Sequence, residues 1–252
     1  MQKISALIIT KNEEDMIADC IRSVSFCDEI IVVDTASTDR TREIAAKLGA
    51  TVYEFIADDF AKRRNFAKQK ATGDWLFYID ADERVSKELA IHIKTILAHA
   101  SSASAYVVRR KNYYFHTFLW PTIEQLERFF RSDSLVRWSG RLHETAVIKG
   151  EVGILSGFLL HFTHRDLSGM LTKTLSWSTV EAQLRREAHH PQMSWWRFFR
   201  VMLTAFYSSY ISQRGYRVGT AGLIESIYQG YSAFVTYAKL WEMQQSTHER
   251  YV

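Results

Sequence analysis

The first hundred residues of this chain alternate short, almost wholly apolar runs with amphipathic stretches of helical period, and that rhythm leaves few folds open. Ile4–Ile9, Ile30–Val33 and Trp75–Ile79 read as buried strands, and Thr51–Phe55 as a short strand between the second and the fourth. Between them, 15–24 reads as a helix with Met16, Ile17, Cys20, Ile21 and Val24 on one stripe. A second helix is predicted over 39–48, with Ser37 or Thr38 as N-cap, Asp39 in its first turn and Gly49 at its end. Helices are also predicted over 59–69, ending near Gly73, and over 87–98. Strand, helix, strand, helix with short links implies a parallel sheet with right-handed crossovers, an α/β fold.

From about Ala105 the rhythm changes. Tyr106–Arg109, Glu127–Arg131, Leu142–Ile148 and Leu159–Phe162 read as strands among irregular aromatic segments, and after Asp166 the pattern is helical almost to the end. No internal repeat or low-complexity linker interrupts it. Pro191, one of two prolines, is the best candidate for a boundary between the globular part and the C-terminal helices.

The chemistry gathers where the predicted strands end. Asp80-Ala81-Asp82 follows Trp75–Ile79 directly, so two carboxylates stand at the sheet's carboxyl edge, where open α/β sheets bind ligands. Two hard oxygen ligands there suit Mg²⁺ or Mn²⁺ shared with a diphosphate. Three further segments converge on that edge: Thr10-Lys11-Asn12-Glu13-Glu14, Asp34-Thr35-Ala36-Ser37-Thr38-Asp39 and Lys62-Arg63-Arg64-Asn65. The first two each close a strand and open a helix, which turns N–H groups toward an anion. Neither the glycine fingerprint of a dinucleotide site nor a P-loop is present.

These segments, with Gly73-Asp74-Trp75 and Glu83, resemble family 2 of the glycosyltransferases, which have the GT-A fold: a Rossmann-like mixed sheet, mostly parallel. The resemblance covers roughly residues 3–165. Arg137-Trp138-Ser139-Gly140-Arg141-Leu142-His143-Glu144 and the C-terminal Arg214-Gly215-Tyr216-Arg217-Val218-Gly219 are similar to the subgroup of lipopolysaccharide core β-1,4-glucosyltransferases. Many family members carry Asp-Asp after the second strand, where this chain has Asp34-Thr35, so one nucleotide-binding carboxylate is missing.

The resemblance implies an inverting, metal-dependent transfer of a sugar, glucose first, from a UDP-sugar to a glycan or glycolipid acceptor such as a lipopolysaccharide inner core. In it, Asp34 and the Thr10, Lys11, Asn12, Glu13 loop hold the uridine. Arg63 or Arg64, beside Asn65, reaches the diphosphate. Asp82 binds the metal, Asp80 shares the metal or binds ribose, and His161 is a candidate third ligand. Inversion needs a base for the acceptor hydroxyl; Glu144 is the choice, with His143 orienting it or contacting phosphate. The rivals are a nucleotidyltransferase, which usually has a Gly-rich basic loop after the first strand, and a non-catalytic membrane adaptor.

The expected domains are a catalytic domain over 1–165 and a helical region over 166–252. Net charge is +4, but six arginines between Arg185 and Arg217 against Glu187 give +5, which leaves −1 for the rest. Here arginines sit among tryptophans in apolar helices, against nucleic-acid binding and toward an anionic membrane surface; a helical hairpin packed on its own domain or in an oligomer is the alternative. No stretch reaches the roughly 20 apolar residues of a spanning helix, and Met1-Gln2-Lys3 runs straight into a strand, so no signal peptide is expected. Cys20 and Cys27 read as small buried hydrophobes of a reducing compartment. The expected location is cytoplasmic, peripheral on the inner face of the cytoplasmic membrane.

Overall fold

The computed structural model describes residues 2–57, 59–99, 103–141 and 144–245. The chain divides into two compact units, one of Met1–Lys111 with Ile123–His161 and one of Asn112–Thr122 with Phe162–Val252.

The first unit is a sheet with helices on both faces. Its strands are β1 (Ile4–Thr10), β2 (Glu29–Asp34), β3 (Thr51–Glu54), β4 (Trp75–Asp80), β5 (Glu83–Val85), β6 (Ala105–Tyr114), β7 (Phe118–Arg131) and β10 (Val152–Thr163), in the order β3-β2-β1-β4-β7-β6-β10-β5. The far ends of β6, β7 and β10 belong to the second unit. β3, β2, β1 and β4 run parallel, whereas β7 lies antiparallel on β4 and β5 antiparallel on β10. The α/β class is as expected, and the antiparallel half makes the sheet mixed.

Alternation along the strands decides which helices cover which face. Ala6, Ile8, Val32, Phe77 and Ile79 point to a core built with α1 (Ile17–Ser23), α2 (Thr41–Lys47) and α4 (Lys87–Ala98), through Ile17, Cys20, Ala45, Leu89 and Ile93. Leu7, Ile9, Ile31, Val33, Leu76 and Tyr78 point the other way, to α3 (Phe60–Lys70) and to the hairpin of β8 (Leu135–Ser139) and β9 (Thr145–Ile148). Each such side chain contributes roughly 1.5–3 kcal/mol by leaving water.

The antiparallel strands are longer than the sequence reading. β7 extends back to Phe118 and β10 to Val152, and β5 and β8 were not expected. Glu124, Glu127 and Arg128 interrupt the apolar residues of β7, and Gly153, Ser156 and Gly157 those of β10, so both carry a weaker signal than strands buried on both faces. The strand expected from Leu142 begins at Thr145; Leu142 and His143 lie outside the described residues.

The second unit holds α5 (Leu167–Glu187), α6 (Trp195–Tyr207) and α7 (Gly219–Gln245), with a π-helical turn over Ser208–Ser212 and a 3₁₀ turn over Gly215–Val218. Asp166 caps α5, accepting from Gly169 N at 2.7 Å. A Cβ on Gly222 would lie 1.9 Å from the Gly215 carbonyl oxygen, so the entry to α7 needs glycine there. Pro191, expected at a boundary, instead falls between α5 and α6 inside this unit. Met193, two residues on, is buried with Ala182 of α5 and Leu240 of α7, so the link packs rather than separates. Among the described residues no helix is long and apolar enough to cross a membrane.

Candidate functional site

The loops after β1 and β2 interlock. Asn12 N donates to Ser37 Oγ at 2.8 Å, and Asn12 Oδ1 accepts from Thr38 N at 2.8 Å. Glu13 N donates to Thr41 Oγ1 at 2.8 Å and Glu14 N to Asp39 Oδ2 at 3.1 Å. Asn12 and Ala36 take positive φ, 53° and 55°, which turns both loops sharply. The expected caps of α2 do not form. The helix begins only at Thr41, and Ser37 is spent on Asn12 and Asp34. Asp39 stands ahead of the helix, accepting from Thr41 N at 3.0 Å.

Asp34, expected on the uridine, is fully buried. It accepts from Ser37 N at 2.8 Å and from Ser37 Oγ, and Arg42 Nε stands 3.8 Å away. Its carboxylate braces the loop from inside. Lys11 and Asn12 are the exposed side chains of the first loop, while Thr10 is buried.

α3 explains the next part. Its buried positions are Ala61, Arg64 and Ala67, one face at spacings of three, with small residues on either side of the arginine. Arg64, 2% exposed, therefore enters the protein as a cation and meets two carboxylates. Its Nη2 lies 3.0 Å from Asp80 Oδ1 and its Nε 2.8 Å from Glu144 Oε1. The guanidinium also lies 5.0 Å from the Trp138 ring centroid. Burial alone would lower the Arg64 pKa, but the charges of Asp80 and Glu144 outweigh it and raise it.

Arg63 and Asn65 do not join this cluster. Arg63 turns back onto its own chain, donating from Nε to the Ala57 carbonyl at 2.8 Å. Asn65 brackets Trp138, accepting from its N at 2.8 Å and donating to its carbonyl at 2.9 Å, which fastens α3 to β8.

Asp80 is held on both sides. Arg128 Nη2 lies 2.8 Å from Asp80 Oδ2, opposite Arg64. Burial works to raise the Asp80 pKa; Arg128, then Arg64, Arg110 and His161, overcome it and hold the carboxyl well below the usual range. Both Asp80 oxygens thus accept from arginines, Oδ1 from Arg64 and Oδ2 from Arg128. Glu83, wholly buried, accepts from Asp80 N at 2.9 Å and from Arg110 Nη1 at 2.9 Å.

Asp82 has a different neighbour. β10 pairs with β5 so that His161 stands opposite Glu83, which brings His161 Nε2 within 3.3 Å of Asp82 Oδ2. One carboxylate and one imidazole nitrogen at a half-buried edge fit a divalent cation that takes its other ligands from phosphate and water. Among the described residues no group of three or more His, Cys, Asp or Glu is placed to hold a metal alone.

The structure thus brings Arg64, Asp80, Glu144, Asp82 and His161 to the edge formed by the ends of β1, β2 and β4. Among the described residues, Thr10 Oγ1, Thr35 Oγ1, Arg64 Nη1 and Arg128 Nε are buried there without hydrogen-bond partners. Each such atom costs roughly 1–3 kcal/mol, which a polar ligand can offset. A shallow depression of about 370 Å³ lined by Gln2, Asp74, Trp75 and Arg131 lies at the opposite edge of the sheet, away from these groups. Arg110, Arg128 and Glu83 escaped the sequence reading as functional residues. The two arginines lie on antiparallel strands whose register no local spacing reveals. Glu83 stood next to the acidic pair without any signal of its role.

The model of glycosyl transferase family 2 matches residues 5–150. A glycosyltransferase of Rickettsia felis is 30% identical over 96% of this chain and 90% of its own length. The lipopolysaccharide core biosynthesis glycosyltransferase LpsC of Rhizobium meliloti is 29% identical over 95% of this chain and 92% of its own. Among solved structures, glucosyl-3-phosphoglycerate synthase of Mycobacterium tuberculosis with Mg²⁺ and UDP overlaps 45% of this chain and 44% of its own, at 24% identity and a TM-score of 0.37. The chain is thus an enzyme of the transferase class with a GT-A-type sheet, and it belongs to glycosyltransferase family 2.

Proposed function

We propose that this enzyme moves a hexose, glucose first, from a UDP-sugar to a cell-envelope glycan of the lipopolysaccharide core type, with inversion at the anomeric carbon. The observation that carries the reading is the buried guanidinium of Arg64, shared by Asp80 and Glu144, with Asp82 and His161 beside them. The likeness to LpsC supports the choice of acceptor.

In this reading the interlocked loops after β1 and β2 receive the nucleoside, with exposed Lys11 and Asn12 beside it. Arg64 and Arg128, both buried at this edge, supply the positive charge that an anionic donor needs. Mg²⁺ or Mn²⁺ held by Asp82 and His161 would neutralise charge on the departing nucleoside diphosphate. Glu144 takes the acceptor hydroxyl proton as that oxygen attacks the anomeric carbon. Arg64 fixes the direction of Glu144 and of Asp80 together, so the base and the donor floor move as one body. The catalytic and helical parts are read as 1–165 and 166–252. The acceptor is read as lipid-linked, with the helical part at the inner face of the cytoplasmic membrane.

The test is a thermal-shift series with UDP-, GDP- and dTDP-sugars, with and without Mn²⁺, followed by transfer to core oligosaccharide acceptors. A ligand of the native state raises the melting temperature by mass action. A cation-dependent rise with UDP-glucose is expected. No response to any sugar nucleotide from well-folded protein would end the reading.

A further inference from the structure

α6 has no fully buried residue along its length. One side of it packs on α7: Phe198 meets Phe234 with ring centroids 5.8 Å apart, and Gly230 lies under the Met202 carbonyl, 3.3 Å from where a Cβ would stand. The opposite side carries Trp195, Phe199, Leu203 and Tyr207 at intervals of four, exposed by 76%, 62%, 65% and 60%. Four large apolar side chains in one exposed stripe are not the scattered surface hydrophobes of an ordinary helix. The π-helical turn over Ser208–Ser212 follows, and Ile211 within it is exposed as well.

The charge around the stripe has one sign. Between Glu187 and Glu225 the sequence has no acidic residue, while Arg197, Arg200, Arg214 and Arg217 fall in that interval. The Arg197 and Arg200 guanidinium carbons lie 5.1 and 5.5 Å from the Trp196 ring centroid, so cations border the aromatic face. None of these four arginines has an acidic partner among the described residues. α6 has 13 residues, about 20 Å of helix, short of the roughly 30 Å hydrocarbon core. It is suited to lie in a bilayer surface and not to cross it.

We infer that α6 docks this enzyme on anionic lipid, with Trp195, Phe199, Leu203 and Tyr207 entering the headgroup boundary and Arg197 and Arg200 meeting lipid phosphates. An apolar stripe edged by unpaired cations matches that surface in both hydropathy and charge. The inference deepens the membrane reading above and rests on it for the lipid-linked acceptor. The occupant is an anionic bilayer; a second copy of the chain is the competing occupant.

The test uses the full chain in sedimentation with vesicles of phosphatidylcholine alone and of phosphatidylcholine with phosphatidylglycerol. Binding is expected only with phosphatidylglycerol present and should weaken as salt rises. Arg197→Gln with Arg200→Gln should weaken it about 25-fold, near fivefold for each charge. Trp195→Ser with Phe199→Ser and Leu203→Ser should weaken it more than about a hundredfold. Both variants should keep wild-type melting temperatures and wild-type transfer to a soluble acceptor. Wild type that ignores anionic vesicles overturns the inference. So does a wild-type dimer in ultracentrifugation that the serine variant dissociates. Vesicle binding without transfer to any acceptor would sink the function reading and leave the docking intact; transfer without vesicle binding would do the reverse.

Discussion

Arg64 Nε donates to Glu144 Oε1 at 2.8 Å across 80 residues of sequence, joining the helix that leads into β4 to the segment that leads into β9. The same guanidinium holds Asp80 at 3.0 Å. One side chain therefore sets the distance between the acidic tip of β4 and the carboxylate offered as base.

That link makes Glu144→Gln a clean variant. The amide oxygen can still accept from Arg64 Nε, so the local geometry survives while the proton acceptor is lost. Turnover should fall by about 10²–10⁴-fold, the usual contribution of a positioned base, and donor affinity by calorimetry should stay near wild type. A Gln variant that keeps most of its activity would remove Glu144 from the role.

Arg64→Met tests the other partner. The substitution keeps bulk but leaves the Asp80 and Glu144 carboxylates without their shared cation, and Asp80 would keep only Arg128. Breaking one side of a buried pair costs about 3–5 kcal/mol, which for a chain of this size lowers the melting temperature by roughly 6–20 °C. Arg64→Lys should fall between, since a single ammonium lacks the fork that reaches two carboxylates. A Met variant that melts with wild type would show the pair to be energetically neutral.

Asp82 and His161 are expected to act on cation-assisted binding alone. Asp82→Asn and His161→Ala should each weaken Mn²⁺-dependent UDP binding by about tenfold or more, going by the loss typical even of groups behind the ligands. Binding measured in chelator should not change. If Asp80→Asn, and not Asp82→Asn, abolishes the cation effect, the assignment of the two carboxylates is reversed.

How much of this was written in the local sequence differs by region. Strands β1, β2 and β4 are legible because they are largely buried on both faces and spell continuous apolar runs, as Trp75–Ile79 does; β3, half-exposed at the sheet edge, is legible from its place in the alternation, and α4 from its helical period. The acidic tip of β4 is legible for the same reason: polarity begins where burial stops. What stays hidden is made by strand register. His161 reaches Asp82 only because β10 pairs antiparallel with β5, and a strand as short as Glu83–Val85 has no pattern to detect. Arg128 faces Asp80 because Phe129 sits opposite Phe77, a pairing that nothing in either segment encodes alone. The arginine of α3 was legible as a site residue and not as a bridge, because its second carboxylate lies beyond a hairpin.

Asp39 ties the pH response to the same edge. Its Oδ1 accepts from Thr41 N at 3.0 Å and from Thr41 Oγ1, and its Oδ2 from Glu14 N at 3.1 Å. Partial burial pushes its pKa up, and these hydrogen bonds, led by the Thr41 hydroxyl, overcome it and bring the net value down. In the unfolded chain the carboxyl titrates near about 3.9. The unfolded state therefore takes up the proton first, so the contribution is complete above about pH 4 and is lost as pH falls through the lower folded value. Acidification through the lowered folded value should loosen the bond to Glu14 N and with it the joined loops, while pH 6 to 8 should leave them unchanged. Asp39→Asn keeps one acceptor oxygen and should weaken sugar-nucleotide binding near neutral pH. The difference between wild type and this variant in melting temperature should shrink below about pH 4, where the wild-type carboxyl begins to be neutralised. A difference that stays constant down to about pH 2 would mean that Asp39 acts through shape and not through charge.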